Sequence, residues 1–465
     1  MVTMNLDLDR LFEAFAPNLT LDLNCSDDEN LYIDFSEVRG GHVIKSLQRR
    51  ISSLKDKPTC QLFTGHFGCG KSTELSKLEK ELNNQGFHVV SFECTEEFDT
   101  ADVEITDVLL AITHQITRSL ETKANIWLQP SNFKQILQNF INLLNSPVTG
   151  FKFKKLPVIG EIGWTSDKNK YSISFGIGEI TGIAKNDSSI RSLLREYMAP
   201  RITDIINAIN NELLIPAQQE LSKKGKLGLV VIVDNLDRAE YFSSSNSNRD
   251  QPKSLFVDGA EHLKGLKCHL VYTMPLILNF SNYQDIIKQR FGTRPQVLPM
   301  VRVKERDGSL CDEGIELLRQ MVLARAFPEA TKEKRSDREQ RLNLILKLFD
   351  KPDTFDHLCQ MSGGHIRTLL GYITQCLEMQ DPPFPRSLID RIINENRNQL
   401  RQGIESHEWQ LLREVTQQKK ASGEEQYQIL VRSSFIFEYR NEHGEIWHDI
   451  NPILADAEEF KESNE

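Results

Sequence analysis

A run of spaced glycines ending in a lysine and a hydroxyl is chemistry for holding phosphate. Gly65-His66-Phe67-Gly68-Cys69-Gly70-Lys71-Ser72 reads G-x-x-x-x-G-K-S. Glycines let the backbone curl so that successive N–H groups point at phosphate oxygens. Lys71 reaches the β- and γ-phosphates as a point charge, and the Ser72 hydroxyl is a ligand for Mg²⁺. The expected nucleotide contacts therefore run over Gly65, His66, Phe67, Gly68, Cys69, Gly70, Lys71, Ser72 and Thr73. A second group with chemistry ends the run Leu229-Val230-Val231-Ile232-Val233-Asp234-Asn235-Leu236-Asp237-Arg238. Asp234 is the expected second Mg²⁺ ligand, through the ion's water shell. Asp237 is either the carboxylate that polarises an attacking water or the structural partner of Arg238.

These residues need particular elements to place them. Cys60 to Thr64 is a short, largely apolar run that fits a buried strand. After the loop, Leu75, Leu78 and Leu82 share one helical face, and Gly86 is a stop. Strand, loop and helix are the context a phosphate loop requires. The β-branched run before Asp234 is that of a central parallel strand buried on both faces. Its carboxyl end is where open α/β sheets place ligands.

Composition sets the bounds. The 465 residues suffice for about three domains by the usual size prior. Hydrophobic content of 39% and charged content of 26% are those of a globular protein. The longest strongly apolar run, Leu229 to Val233, is too short to span a bilayer. The amino-terminal stretch lacks a basic segment followed by a long apolar core, so a cytoplasmic location without a membrane partner is expected. Eight cysteines without a C-x-x-C pair fit reduced thiols. A net charge of −10 argues against a chain that coats nucleic acid nonspecifically.

Four regions follow in order. Residues 1–45 are a lead-in, in which Tyr32, Phe35 and Val38 either wall in a nucleotide base or anchor the segment on the core. Residues 46–300 read as the α/β domain. Its second strand is His88 to Cys94, with amphipathic helices at Ile105 to Leu120 and Phe133 to Leu144. Alternation near 151–183, with intervening glycines, predicts an inserted β-hairpin. A long helix is expected from Ser188 to Leu214, then strands at Cys268 to Pro275 and Gln296 to Val303. Residues 301–382 are a helical lid. Asp381-Pro382-Pro383 marks a linker into residues 383–465. There, helices at Leu388 to Leu400, His407 to Gln418 and Glu424 to Arg432 precede a hairpin over Phe435 to Ile450, the pattern of a winged helix.

The two motifs together resemble the AAA+ and STAND group of P-loop NTPases, and the Asp-Asn-Leu-Asp-Arg ending resembles KAP-type members. The resemblance spans roughly residues 30 to 460 and is specific only at the short motifs. It implies an α/β P-loop NTPase fold with a parallel sheet of the ASCE/AAA+ kind, then a helical lid and a C-terminal winged helix. It also implies ATP and Mg²⁺. Thr273 stands where such families place a polar residue that senses the γ-phosphate. Arg290, or else Arg294, stands where an arginine finger reaches a neighbouring subunit. Ser362-Gly363-Gly364-His365-Ile366-Arg367 resembles the lid motif whose arginine, here Arg367, reaches over the phosphates. AAA+ proteins follow the magnesium aspartate with a catalytic glutamate; this chain has Asn235. That departure shifts the expected base to Asp237 and implies a slow, switch-like ATPase.

The resulting expectation is an ATP switch that controls self-association or the binding of a protein partner, as in signalling or bacterial defence. The alternative is a DNA-acting AAA+ protein of the replication-initiator or transposition-regulator kind. Residues 383–465 carry 10 Lys and Arg against 16 Asp and Glu, a net −6. Duplex affinity rests on phosphate contacts from basic residues, so DNA is not the favoured partner.

Overall fold

A computed structural model describes residues 7–144, 173–239, 250–332 and 338–461. The chain divides into two compact units. One holds residues 46–64 and 78–296, the other residues 1–45, 65–77 and 297–465.

The first unit is built on a parallel sheet. Its strands are β1 (Cys60–Gly65), β2 (His88–Glu93), β3 (Leu229–Asp234), β4 (His269–Thr273) and β5 (Gln296–Leu298). Their order is β2-β3-β4-β1-β5, so chain neighbours are rarely sheet neighbours. Each crossover is therefore a helical excursion, as parallel pairing demands. Every residue of β3 is buried, as its unbroken β-branched run predicts. Register aligns the carboxyl ends: Glu93 lies opposite Asp234, Val233 opposite Tyr272, and Phe63 opposite Thr273. The core gathers the inner faces of the strands with helices Ile105–Thr122 and Ser131–Leu144, through residues such as Leu110, Ile116, Phe133 and Phe140.

Two expectations fail in this unit. Ile173–Asn186 is a helix, not a hairpin arm; the rest of the expected insertion, 151–172, lies outside the described residues. Ile177, Ile180 and Ala184 are buried at helical spacing. Of the glycines that read as turns, Gly178 permits close approach: a Cβ there would sit 2.8 Å from the His114 ring. The long helix is also interrupted. It runs Ser188–Met198, takes a 3-10 turn at Ala199–Arg201, and resumes at Ile202–Ala208. A wide π turn spans Ile209–Leu214 before helix Ile215–Lys223. Pro200 and Pro216 lack the N–H groups that an uninterrupted helix would use.

The second unit is mainly helical. Residues 301–382, the expected lid, contain helices Asp312–Ala326, Pro328–Lys332, Arg338–Leu348, Pro352–Met361 and Ile366–Met379. Leader residues Leu11, Phe15, Phe35 and Val38 pack in the same core as Leu318, Phe355 and Leu369. The leader is thus a structural part of this unit, with a short helix at Ser26–Leu31. Helices Arg386–Arg401, Glu408–Gln418 and Glu425–Arg432 follow. They lead into an antiparallel hairpin of β6 (Ile436–Arg440) and β7 (Ile446–Ile450), close to the expected boundaries. The strand expected over 296–303 is shorter, ending at Leu298.

Candidate nucleotide site

The phosphate loop follows β1 in the chain. Gly68 and Gly70 have φ of +82° and +101°, a backbone region that favours glycine. Gly65 admits no side chain for another reason: a Cβ there would lie 2.6 Å from the Leu298 carbonyl oxygen. Lys71 opens helix Lys71–Asn84, and its Nζ donates to the Gly65 and His66 carbonyls at 2.9 Å each. The ammonium is therefore folded over the loop that it is expected to serve.

Three segments distant in sequence close on this loop within its unit. The ring of His365 contacts the Phe67 carbonyl through Nε2 at 2.6 Å and the Thr368 hydroxyl through Nδ1 at 2.5 Å. The Arg367 N–H donates to the Gly68 carbonyl at 3.3 Å, and its guanidinium lies 4.2 Å from the centroid of the Phe67 ring. The structure thus brings Arg367 to the loop from the start of helix Ile366–Met379, as its sequence position predicts. From the hairpin, the Glu438 N–H donates to His66 Nε2 at 3.1 Å, and Phe437 meets the His66 ring edge-on. From the leader, buried Arg39 donates to the Cys69 carbonyl at 2.6 Å.

Burial keeps the two histidines neutral. It drives the His66 pKa well below the ordinary value, with the positive charge of Lys71 adding to the effect. It pushes His365 down to about 4. Glu438 is shifted the other way, up to about 7, because burial outweighs Arg440 at 3.6 Å. Its Oε1 is buried without a hydrogen-bond partner among the described residues.

Tyr32 lies along the first turns of the helix after the loop. Its hydroxyl donates to Glu74 at 3.1 Å and accepts from Lys77 at 3.1 Å, and the Lys77 ammonium sits 4.9 Å from the ring centroid. Burial, then the Glu74 and Asp34 charges, raises the Tyr32 pKa.

In the other unit, the end of β3 is a tight polar knot. Asp234 is 5% exposed, and its Oδ1 accepts the Asn235 N–H at 2.7 Å. The Leu236 N–H donates to Thr273 Oγ1 at 2.9 Å. Asp237 lies on the 3-10 turn Leu236–Arg238 that follows. Thr273, the last residue of β4, thus meets the backbone on either side of Asp234 and Asn235, at Val233 and Leu236. Glu93 joins this edge without having been singled out in the sequence: its Oε2 accepts from Asn235 Nδ2 at 2.6 Å. No motif marks it, because the partners are 142 positions apart. Only the strand pairing reveals it. Arg290 lies in the last turn of helix Gln284–Phe291 and donates through Nη1 to the Val257 carbonyl at 2.5 Å. Arg294 follows that helix in the short link to β5.

Ser72 and Asp234 offer hard oxygen donors of the kind Mg²⁺ takes. The buried setting of Asp234, with one oxygen already held by a backbone N–H, suits a fixed ligand of the ion or its waters.

The parallel sheet, the glycine loop after β1 and the carboxylate after β3 define a P-loop NTPase fold. Residues 41–243 match the model of the KAP family P-loop domain. Among solved structures, the chain is similar to the Walker-type ATPase of Pyrococcus abyssi, at 14% identity and a TM-score of 0.37. That match covers 88% of this chain and 94% of that one. No curated protein matches the chain. Nucleotide binding is the property common to the loop and the family match. Among the described residues, no helix is long and apolar enough to cross a membrane.

Proposed function

We propose that the chain is an Mg²⁺-dependent ATPase with slow turnover that works as a switch in self-association or partner binding. The observation that carries this reading is the crowding of the phosphate loop. His66, Phe67 and Gly68 each bond to the lid or to the hairpin. A triphosphate takes the N–H groups of this loop, and turning those peptides toward it also turns the Phe67 and Gly68 carbonyls that bond to His365 and Arg367, so nucleotide state and the position of these segments are coupled. Lys71 faces the β- and γ-phosphates, Ser72 and Asp234 serve Mg²⁺, Thr273 senses the γ-phosphate, and Arg367 links the lid to it. Tyr32 borders the base. The three helices and hairpin of residues 383–465 are read as a winged helix that moves with the lid. Arg290 is assigned to a neighbouring subunit's γ-phosphate.

The test is sedimentation of the full-length chain with MgATP and with MgADP, beside phosphate release. A nucleotide-dependent change in mass supports the switch; identical sedimentation in both states removes it. Mixing Arg290→Ala with Lys71→Ala, each inactive alone, restores turnover if Arg290 acts across subunits. Tight, salt-sensitive binding of duplex DNA by the full chain would instead favour the DNA-acting alternative.

A further inference from the structure

At the position where AAA+ proteins carry a catalytic glutamate, the chain has the amide of Asn235, and the amide holds a carboxylate. Strands β2 and β3 pair in parallel with Glu93 opposite Asp234. Neighbouring strands lie ~4.8 Å apart, so a side chain ending β2 reaches the space beside the residue after Asp234. Asn235 Nδ2 donates to Glu93 Oε2 at 2.6 Å. Asn235 is itself fixed. Its φ is +61°, its N–H is on Asp234 Oδ1, and the next N–H is on Thr273. Asparagine is among the few side chains that accept this left-handed backbone readily. The neutral amide orients one oxygen of Glu93 and leaves the other to accept a proton.

We infer that Glu93, held by Asn235 as a positioning residue, is the carboxylate that deprotonates the attacking water. The inference rests on the ATP-hydrolysis reading above. In the step, the water oxygen bonds to the γ-phosphorus. The bond from that phosphorus to the β–γ bridging oxygen breaks, and its electron pair leaves with ADP. The proton shed by the water passes to Glu93 and then to solvent. Asn235 exchanges no proton. Asp237 stands on the following turn, beside Arg238 in sequence and outside this hydrogen-bonded pair.

The experiment uses the full-length chain and two readouts. Glu93→Gln retains MgATP with wild-type affinity in equilibrium dialysis, while phosphate release slows by about 10²–10⁴-fold. After incubation with ATP, the nucleotide recovered from this variant is ATP, whereas wild type yields ADP. Asn235→Asp sets a second carboxylate against Glu93 and raises its affinity for a proton. The acidic limb of the turnover–pH profile then moves to higher pH; a purely structural role would lower the amplitude without moving the limb. Wild-type turnover in Glu93→Gln, with Asp237→Asn carrying the loss instead, overturns the inference and leaves the ATPase reading intact. If Glu93→Gln does not fold, an unmoved limb in Asn235→Asp overturns it. Wild-type protein that binds MgATP and releases no phosphate overturns both.

Discussion

Around the phosphate loop the holding contacts come from far along the chain: His66 meets Glu438, 372 positions away, and Phe67 meets His365, 298 away. At the carboxylate edge they come from strand register, with Glu93, Asp234 and Thr273 ending adjacent parallel strands. The first arrangement joins a local motif to segments that tertiary packing brings from elsewhere in the chain. The second is set by the sheet and changes only if the sheet does. A switch needs both: one place where occupancy displaces something, and one where the reacting groups stay fixed.

Lys71→Ala is the largest expected break. It removes the mobile cation assigned to the β- and γ-phosphates, and ATP binding by equilibrium dialysis should disappear. Retention equal to wild type would mean that the loop is only a structural turn, and the contrast between the two regions would lose its functional content.

Gly364→Ala attacks the approach of the lid to the loop. Gly364 has φ of +73°, and a Cβ there would lie 1.8 Å from the Val301 carbonyl oxygen. Left-handed strain costs roughly 1–3 kcal/mol, and overpacking adds a further ~1–3 kcal/mol. Denaturant unfolding should show a loss of at least roughly 2 kcal/mol if the chain still folds. A loss below about 1 kcal/mol would mean that the turn into helix Ile366–Met379 is not a fixed part of the loop's surroundings.

These two regions were unequally legible in the sequence. The loop, β3 and Asp234 are local patterns, and the C-terminal helices and hairpin follow simple periodicity. Their partners are not local. Glu438 reads as one polar residue in a hairpin arm, and nothing nearby announces His66. Glu93 reads as a strand-end carboxylate until β2 is paired with β3. The Ile173–Asn186 helix was misread because Gly176, Gly178 and Gly182 look like turn residues. Gly178 instead makes room for the His114 ring.

Glu438→Gln sharpens the comparison through pH. The buried carboxyl is raised from 4.5 to about 7, so the folded state binds more protons than the unfolded state between those values. Stability from this group therefore falls as pH rises through that window. Glutamine removes the cost of the buried charge. The variant should gain stability relative to wild type by up to roughly 3 kcal/mol at pH 8, and little at pH 4. His66 and His365 act with the opposite pH slope. Their depressed values make the folded state bind fewer protons, so both proteins lose stability as pH falls below about 6.5. Subtracting melts of the two proteins isolates the glutamate. An equal difference at both pH values would show that Glu438 is not buried as a titrating group against the loop.

Thr273→Val is the smallest and most discriminating change. The Thr273 hydroxyl accepts from the Leu236 N–H at 2.9 Å and donates to the Val233 carbonyl at 3.4 Å, and the residue is fully buried. Valine keeps the shape and leaves a buried N–H without its partner, at a cost of ~1–3 kcal/mol. If Thr273 only braces the turn that carries Asn235 and Asp237, the stability loss comes with a proportionate fall in turnover, and ATP and ADP affinities change together. If it also senses the γ-phosphate, ATP affinity falls while ADP affinity holds. We expect the second outcome, measured by dialysis against each nucleotide. Equal changes for both would leave Thr273 as a brace for the sheet edge and remove it from the nucleotide's contacts.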